Sequence, residues 1–109
     1  MRINSLLLML LLLLPLVPAR AQVADNKTHK ATLTWDAPAK GSSKEPVVGY
    51  NVYRADKESG EYKLIAKKVT ALTYTDTNVK SKHTYYYKVT SVDARGQESI
   101  ASTTKASIP

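Results

Sequence analysis

The sequence VKSKHTYYYKV at residues 79–89 places three consecutive tyrosines inside a stretch of alternating side chains. Tyr85, Tyr87 and Val89 lie on one face of an extended chain, and Tyr86 and Lys88 lie on the other, because successive side chains of a strand point to opposite faces. This alternation predicts the longest strand of the chain, with one face buried. A buried tyrosine needs a hydrogen-bond partner for its hydroxyl, which the backbone of a nearby turn can supply.

The same period of two continues on both sides of this segment. Further strands are predicted at residues 31–35, 47–55, 62–66, 73–76 and 99–108, with glycine, proline and aspartate marking the turns between them. No segment after the N-terminal apolar run has the 3.6-residue period of a helix. Short strands separated by frequent turns predict an all-β sandwich of about seven strands. We expect ten side chains in its core: Leu33, Trp35, Tyr50, Val52, Leu64, Tyr74, Val79, Tyr85, Tyr87 and Val89.

Residues 1–21 have the organisation of a secretory signal peptide. Arg2 precedes an apolar run over residues 6–17, and Ala19 and Ala21 are small residues of the kind that a signal peptidase recognises. The run is shorter than the roughly 20 residues of a membrane span, so we expect cleavage after Ala21 and no membrane span afterwards. The product is then a secreted protein, either extracellular or periplasmic.

The remaining chain divides into a short N-terminal segment, residues 22–29, and one domain, residues 30–109. The sequence contains no cysteine, so packing of the sheets must supply the stability that disulfides give many small secreted domains. The whole chain carries a net charge of +7, but its lysines and arginines are scattered rather than clustered. We therefore expect no nucleic-acid partner and only weak attraction to anionic surfaces.

The order of these motifs resembles the fibronectin type III family over about residues 30–109. Trp35 stands where the family has an inward tryptophan on its second strand, and Tyr50 and Val52 match a Tyr-x-Val pair on the third. Tyr85 and Val89 match the sixth strand, whose first tyrosine anchors a corner in this family. The resemblance implies an immunoglobulin-like β-sandwich of the fibronectin type III type, in which the third and sixth strands are neighbours.

Two departures from the family pattern affect the expected partners. Residues 22–29 are short and polar, so the first strand is expected to be weak or missing. The edge of the 31–35 strand would then be open to a strand from another chain, either in a weak homodimer or from a different protein. The hairpin reads Arg95-Gly96-Gln97, without the carboxylate of an Arg-Gly-Asp adhesion signal, so integrin-type adhesion is not expected.

Candidate catalytic groups are few. His29 and His83 have neither a nucleophile nor further ligands at the spacing of a metal site. Asp36, Asp76 and Asp93 are far apart in the chain and are interpreted as turn formers. We expect no enzymatic activity, no cofactor and no bound metal.

The best candidate binding face comes from strand parity. Outward positions on the third, sixth and last strands form one exposed sheet face: Asn51, Tyr53, Tyr86, Lys88, Thr90 and Lys105. Within it, Tyr53, Tyr86, Lys88 and Lys105 suit stacking on sugar rings or contact with an anionic polymer. The alternative is structural, with Tyr53 and Tyr86 supporting each other as a cross-strand pair.

Three functional interpretations follow from the sequence. The first is a non-catalytic secreted module that binds another protein or the cell envelope. The second is a module that binds a carbohydrate or an anionic polymer through the exposed tyrosine and lysine face. The third is a structural spacer related to those of secreted glycoside hydrolases.

Overall fold

The computed structural model describes residues 20–23, 29–39, 41 and 45–109. These residues form two antiparallel sheets, with strand orders β1-β2-β5 and β4-β3-β6-β7. The described residues contain no helix, and the two sheets form the predicted all-β sandwich. The seven strands are β1 (Arg20–Val23), β2 (Ala31–Thr34), β3 (Val47–Ala55), β4 (Lys63–Val69), β5 (Thr73–Asp76), β6 (Thr84–Asp93) and β7 (Ser102–Ser107).

The core lies between the inner faces of the two sheets. Its largest fully buried side chains are Tyr87, Leu33, Val52 and Val89. The ring of Trp35 packs against that of Tyr50, with 5.5 Å between the ring centroids. Eight of the ten predicted core residues are buried, namely Leu33, Trp35, Tyr50, Val52, Val79, Tyr85, Tyr87 and Val89, and Tyr74 is half-buried against them.

Leu64 is the predicted core residue that the structure places outside the core. Its side chain is 48% exposed, because it lies opposite Tyr53 on the outer face of the sheet. The pairing of β3 with β4 shifts register between Val52 and Tyr53, so Val52 faces Ala66 while Tyr53 faces Leu64. Ile65 packs against the core instead. An irregular register of this kind breaks the period of two on which the prediction depended.

The first strand, which was expected to be weak or missing, forms as the four-residue β1. It pairs antiparallel with β2 along its whole length, from Arg20 opposite Thr34 to Val23 opposite Ala31. Ala21 is half-buried and packs against the core. The edge of β2 that was expected to be open is therefore covered, by residues that lie partly before the predicted cleavage point.

A bulge shapes the edge strand β4 where it passes β3. Lys68 has a positive φ of 54°, and its amide N–H donates to Asn51 Oδ1 at 2.9 Å. A Cβ added at Gly49 would lie 3.0 Å from the backbone of Lys68, so only glycine allows this close approach. Asn51, expected on the exposed face, is only 6% exposed because it supports this bulge. Bulges at sheet edges discourage pairing with other chains.

The final strand is shorter than the predicted residues 99–108. Before β7 the chain makes an isolated bridge between Val92 and Glu98, and the N–H of Ser91 donates to Ser99 Oγ at 2.9 Å. Ile100, which alternation within the predicted strand would place on the inner face, is 64% exposed. The Ser99 N–H donates to the Ser91 carbonyl oxygen at 2.9 Å, so this segment combines a backbone and a side-chain hydrogen bond. The regular ladder, with its alternation of inward and outward side chains, begins only at Ser102.

Candidate binding groove and inter-sheet network

A shallow groove of about 320 Å³ lies on the outer face of the β4-β3-β6-β7 sheet. We call it the outer groove; its lining consists of Glu58, Tyr62, Tyr86, Lys88, Thr103, Thr104 and Lys105. Strand pairing brings the β6 and β7 members together, since Tyr86 lies opposite Lys105 and Lys88 lies opposite Thr103. Three of the four predicted face residues, Tyr86, Lys88 and Lys105, therefore share one concave surface.

Tyr62 gives the outer groove its second aromatic ring. It precedes β4, and its hydroxyl donates to the carbonyl oxygen of Glu58 at 3.2 Å. The Lys88 Nζ lies 4.2 Å from the centroid of the Tyr62 ring, within the range of a cation–π interaction. Burial and the nearby charge of Glu58 raise the pKa of Tyr62, so its hydroxyl is neutral at ordinary pH. The groove thus holds an oriented ring, a cation and a hydroxyl before any ligand arrives.

Tyr53, the fourth predicted face residue, lies outside the outer groove. Its hydroxyl donates to Glu98 Oε1 at 2.6 Å, and the hydroxyl of Thr90 donates to the same oxygen at 2.6 Å. Burial, together with the hydrogen bond and charge of Glu98, raises the pKa of Tyr53 to about 12. Thr90, expected to be exposed, is only 5% exposed. This cluster fixes the segment before β7 against the sheet.

The register also changes the expected contact between Tyr53 and Tyr86. Tyr53 lies opposite Lys88, while Tyr86 lies opposite Ala55, so the two tyrosines are diagonal rather than direct neighbours. Diagonal positions are roughly 7–8 Å apart, which weakens a cross-strand pair.

Four lining residues were not identified from the sequence: Glu58, Tyr62, Thr103 and Thr104. Thr103 and Thr104 lie on β7 beside the predicted Lys105. Glu58 and Tyr62 belong to the β3–β4 connection, and strand parity does not determine where a loop side chain points. One signal was available in the sequence. A polar turn as short as residues 56–60 returns the chain beside the strand before it, so the residues in and next to this turn must lie near β3.

A polar network on the inner face joins the two sheets. Asp76 on β5 is 3% exposed, and its carboxylate accepts hydrogen bonds from Arg54 Nη1 at 2.8 and 3.1 Å. It also accepts from the Tyr87 hydroxyl at 2.8 Å and from the Asn78 N–H at 3.1 Å. The bond from Asn78, two residues further along, is the turn contact expected of Asp76, but its other partners come from β3 and β6 and extend its role beyond the turn.

The charges of this network shift the ionisation of its members. Burial lowers the pKa of Arg54, but its hydrogen bond to Asp76 and the charge of that carboxylate outweigh this effect and raise it overall. Burial, and then the contact with Asp76, raise the pKa of Tyr87 well above its ordinary value. At neutral pH Arg54 is therefore charged and Tyr87 is a neutral phenol.

Tyr85 connects the network to the turn before β6. Its hydroxyl accepts a hydrogen bond from the Lys80 N–H at 2.9 Å, and the Arg54 guanidinium lies 5.5 Å from the centroid of its ring. The ring of His83 stacks beside it, with the centroids 5.9 Å apart, and His83 Nδ1 lies 3.1 Å from the carbonyl oxygen of Ser81. These contacts give His83 a structural place at the strand start.

A larger concavity, of about 570 Å³, lies at the end of the sandwich beside the β2–β3 connection. Its lining is mostly apolar and includes Pro38, Pro46, Val48 and Leu72. Gly41 also lines it and directly precedes residues 42–44, which are outside the described ranges. Since this rim is only partly described, the outer groove is the better-defined candidate surface.

The part of the chain that the structure describes contains no group of three or more His, Cys, Asp or Glu side chains placed to hold a metal ion. Within the same residues, no helix is long and apolar enough to cross a membrane.

Comparisons with known proteins agree with the fold. The family model described as "Fibronectin type III domain" matches residues 17–105. A solved Fn3-like protein from Clostridium thermocellum has 35% sequence identity and a TM-score of 0.68, and the match covers 84% of this chain and 88% of that one.

Two curated relatives are much longer proteins. An amylopullulanase from Thermoanaerobacterium saccharolyticum is 37% identical over 95 residues, which is 87% of this chain but 7% of that protein. An amylopullulanase from Thermoanaerobacter thermohydrosulfuricus is 42% identical over 73 residues, covering 67% of this chain and 4% of that protein. The sandwich, the matched family model and these similarities together show that the chain belongs to the fibronectin type III domain family.

Proposed function

We propose that this protein is an exported, non-catalytic module that binds a polysaccharide through the outer groove. The observation that carries the proposal is the arrangement of Tyr62, Tyr86 and Lys88 in one concave surface on a regular sheet. Sugar rings pack on aromatic faces, and their hydroxyls bond to charged and polar side chains at the edges of such sites. Thr103 and Glu58 supply such polar groups beside the rings.

The mixed charge of the outer groove favours a neutral ligand over a polyanion. Two cations, Lys88 and Lys105, share the lining with the carboxylate of Glu58. Lys88 is also engaged by the ring of Tyr62. A strongly anionic polymer would meet repulsion from Glu58 as well as attraction from the lysines. The relatives are amylopullulanases, which makes pullulan and amylose the first ligands to test.

The experiment is titration calorimetry of the purified exported protein against pullulan, amylose and polygalacturonate, at low and high salt. We expect salt-resistant binding of a neutral polymer. The affinity should fall about 5- to 150-fold in Tyr62→Ala/Tyr86→Ala, since two aromatic contacts together are worth about 1–3 kcal/mol. Tyr53→Phe is the matched control, because Tyr53 lies outside the groove. This variant should bind the polymer with the same affinity as the parent protein. Binding only to polygalacturonate, and only at low salt, would mean that diffuse positive charge is responsible.

A spacer is the second candidate function. The region similar to this chain makes up only 7% and 4% of the two amylopullulanases, so in those long proteins it is one small module among others, as a spacer would be. A folded protein that binds none of the three polymers would support the spacer, or a protein partner, over the groove.

A further inference from the structure

The strand β1 and the predicted cleavage point overlap in the sequence. Cleavage after Ala21 would remove Arg20 and Ala21, which form two of the four residue pairs between β1 and β2. The remaining pairs, at Gln22 and Val23, would lie at a free chain end, where strands fray. The product would lose the core contact of Ala21 and expose the edge of β2.

The similarity to other proteins also extends through this overlap. The family model begins at residue 17, before β1. The match to the T. saccharolyticum amylopullulanase covers 95 residues of this chain, more than the number that follow Ala21 in a chain of 109. It therefore begins at residue 15 or earlier and includes residues on the N-terminal side of both Ala19 and Ala21. The similarity alone does not distinguish the two bonds. The pairing of β1 with β2 does, because it places Arg20 and Ala21 in the folded module.

We propose that the exported protein is processed after Ala19, so that Arg20 becomes its first residue and β1 is kept whole. Val17 and Ala19 have the one-residue spacing and short side chains of a signal peptidase site, as Ala19 and Ala21 do. The bond after Ala19 and the bond after Ala21 both satisfy the sequence pattern. Only cleavage after Ala19 leaves all four residue pairs between β1 and β2 in the product. The proposal rests on export, which is part of the proposed function.

The test is the N-terminal residue of the protein recovered after export from a bacterial host that reads the chain's own leader. Intact mass and N-terminal sequencing of the denatured product are expected to give Arg20. A product that begins at Gln22 would overturn the proposal while leaving export intact. Finding only the uncleaved chain, retained inside the cells, would overturn both processing and export.

Two variants separate the neighbouring bonds. Ala21→Leu places a large residue directly before the bond after Ala21 and leaves the residues before the other bond unchanged, so processing should continue with Arg20 as the first residue. Val17→Glu places a charged residue at the recognition position of the bond after Ala19 only, so the product that begins at Arg20 should be lost. The opposite pattern, with Ala21→Leu blocked and Val17→Glu processed normally, would refute processing after Ala19. Both readouts come from denatured protein and do not depend on whether the variant folds.

Discussion

Asp76 is the side chain whose removal tests the internal architecture most directly. Its carboxylate accepts four hydrogen bonds, from Arg54 twice and from Tyr87 and Asn78 once each. Asp76→Ala removes all of them together. It leaves the Tyr87 hydroxyl in a fully buried position and takes away the anion that pairs with Arg54.

The cost follows from these two losses. Breaking a buried ion pair by removing one partner costs about 3–5 kcal/mol, and an unpaired buried hydroxyl costs about 1–3 kcal/mol. The two figures overlap, because one carboxylate makes both contacts. Arg54 is also 20% exposed and keeps its bond to the Asn78 carbonyl oxygen at 3.0 Å, so water and that oxygen recover part of the loss. We expect the free energy of unfolding to fall by about 3–5 kcal/mol, a large share of the roughly 5–15 kcal/mol of a typical domain.

The assay is urea unfolding followed by the fluorescence of Trp35, the single tryptophan of the chain. Tyr87→Phe removes one of the four bonds and should cost about 1 kcal/mol. The double variant should show a coupling between Asp76 and Tyr87 of about 0.5–3 kcal/mol. A cost below about 1 kcal/mol for Asp76→Ala would refute the view that this network holds the sheets together.

Three further predictions concern the core, the bulge and the pH dependence. Trp35→Ala should lower the free energy of unfolding by about 3–5 kcal/mol, since the side chain is 4% exposed, and a shift of only a few degrees in Tm would place the residue elsewhere. Gly49→Ala should cost about 1–3 kcal/mol in urea unfolding, because the new Cβ meets the Lys68 backbone at 3.0 Å, and a neutral effect would mean that the bulge gives way easily. The pKa of Tyr87 and of Tyr53 is raised in the folded state, to about 12 for Tyr53, so the folded protein keeps protons that the unfolded chain releases. The contribution of these two tyrosines to stability should therefore be constant below about pH 10 and fall above it, so urea midpoints measured from about pH 9 upward should decrease, and less steeply in Tyr87→Phe.

The fold was predictable because it depends on short-range alternation. The bounds of β3 and β5 match the predicted residues 47–55 and 73–76. Prediction failed where the ladder is irregular. The register shift beside Val52 moves Leu64 to the outer face, and the hydrogen bonds between Ser91 and Ser99 come before the regular ladder of β7. Neither feature has a local signal, because each depends on which residues of the neighbouring strand lie opposite.

The candidate surface was predictable only in part for the same reason. Tyr86, Lys88 and Lys105, which parity places on one side of the sheet, all line the outer groove. The hydrogen bond from Tyr53 to Glu98 joins residues 45 positions apart, which no local pattern reveals. Long-range pairs of this kind account for the difference between the predicted face and the groove.

Stability and the proposed binding depend on opposite sides of the same strand. The inward side chains of β6, Tyr85 and Tyr87, hold the turn and the polar network, while the outward Tyr86 and Lys88 line the outer groove. None of the groove residues belongs to the hydrophobic core cluster. Substitutions in the groove should therefore change affinity without unfolding the domain, and substitutions in the network should unfold it without a selective loss of affinity. The alternation within residues 79–89 that determines the fold also makes this separation possible, because each step along the strand moves from one role to the other.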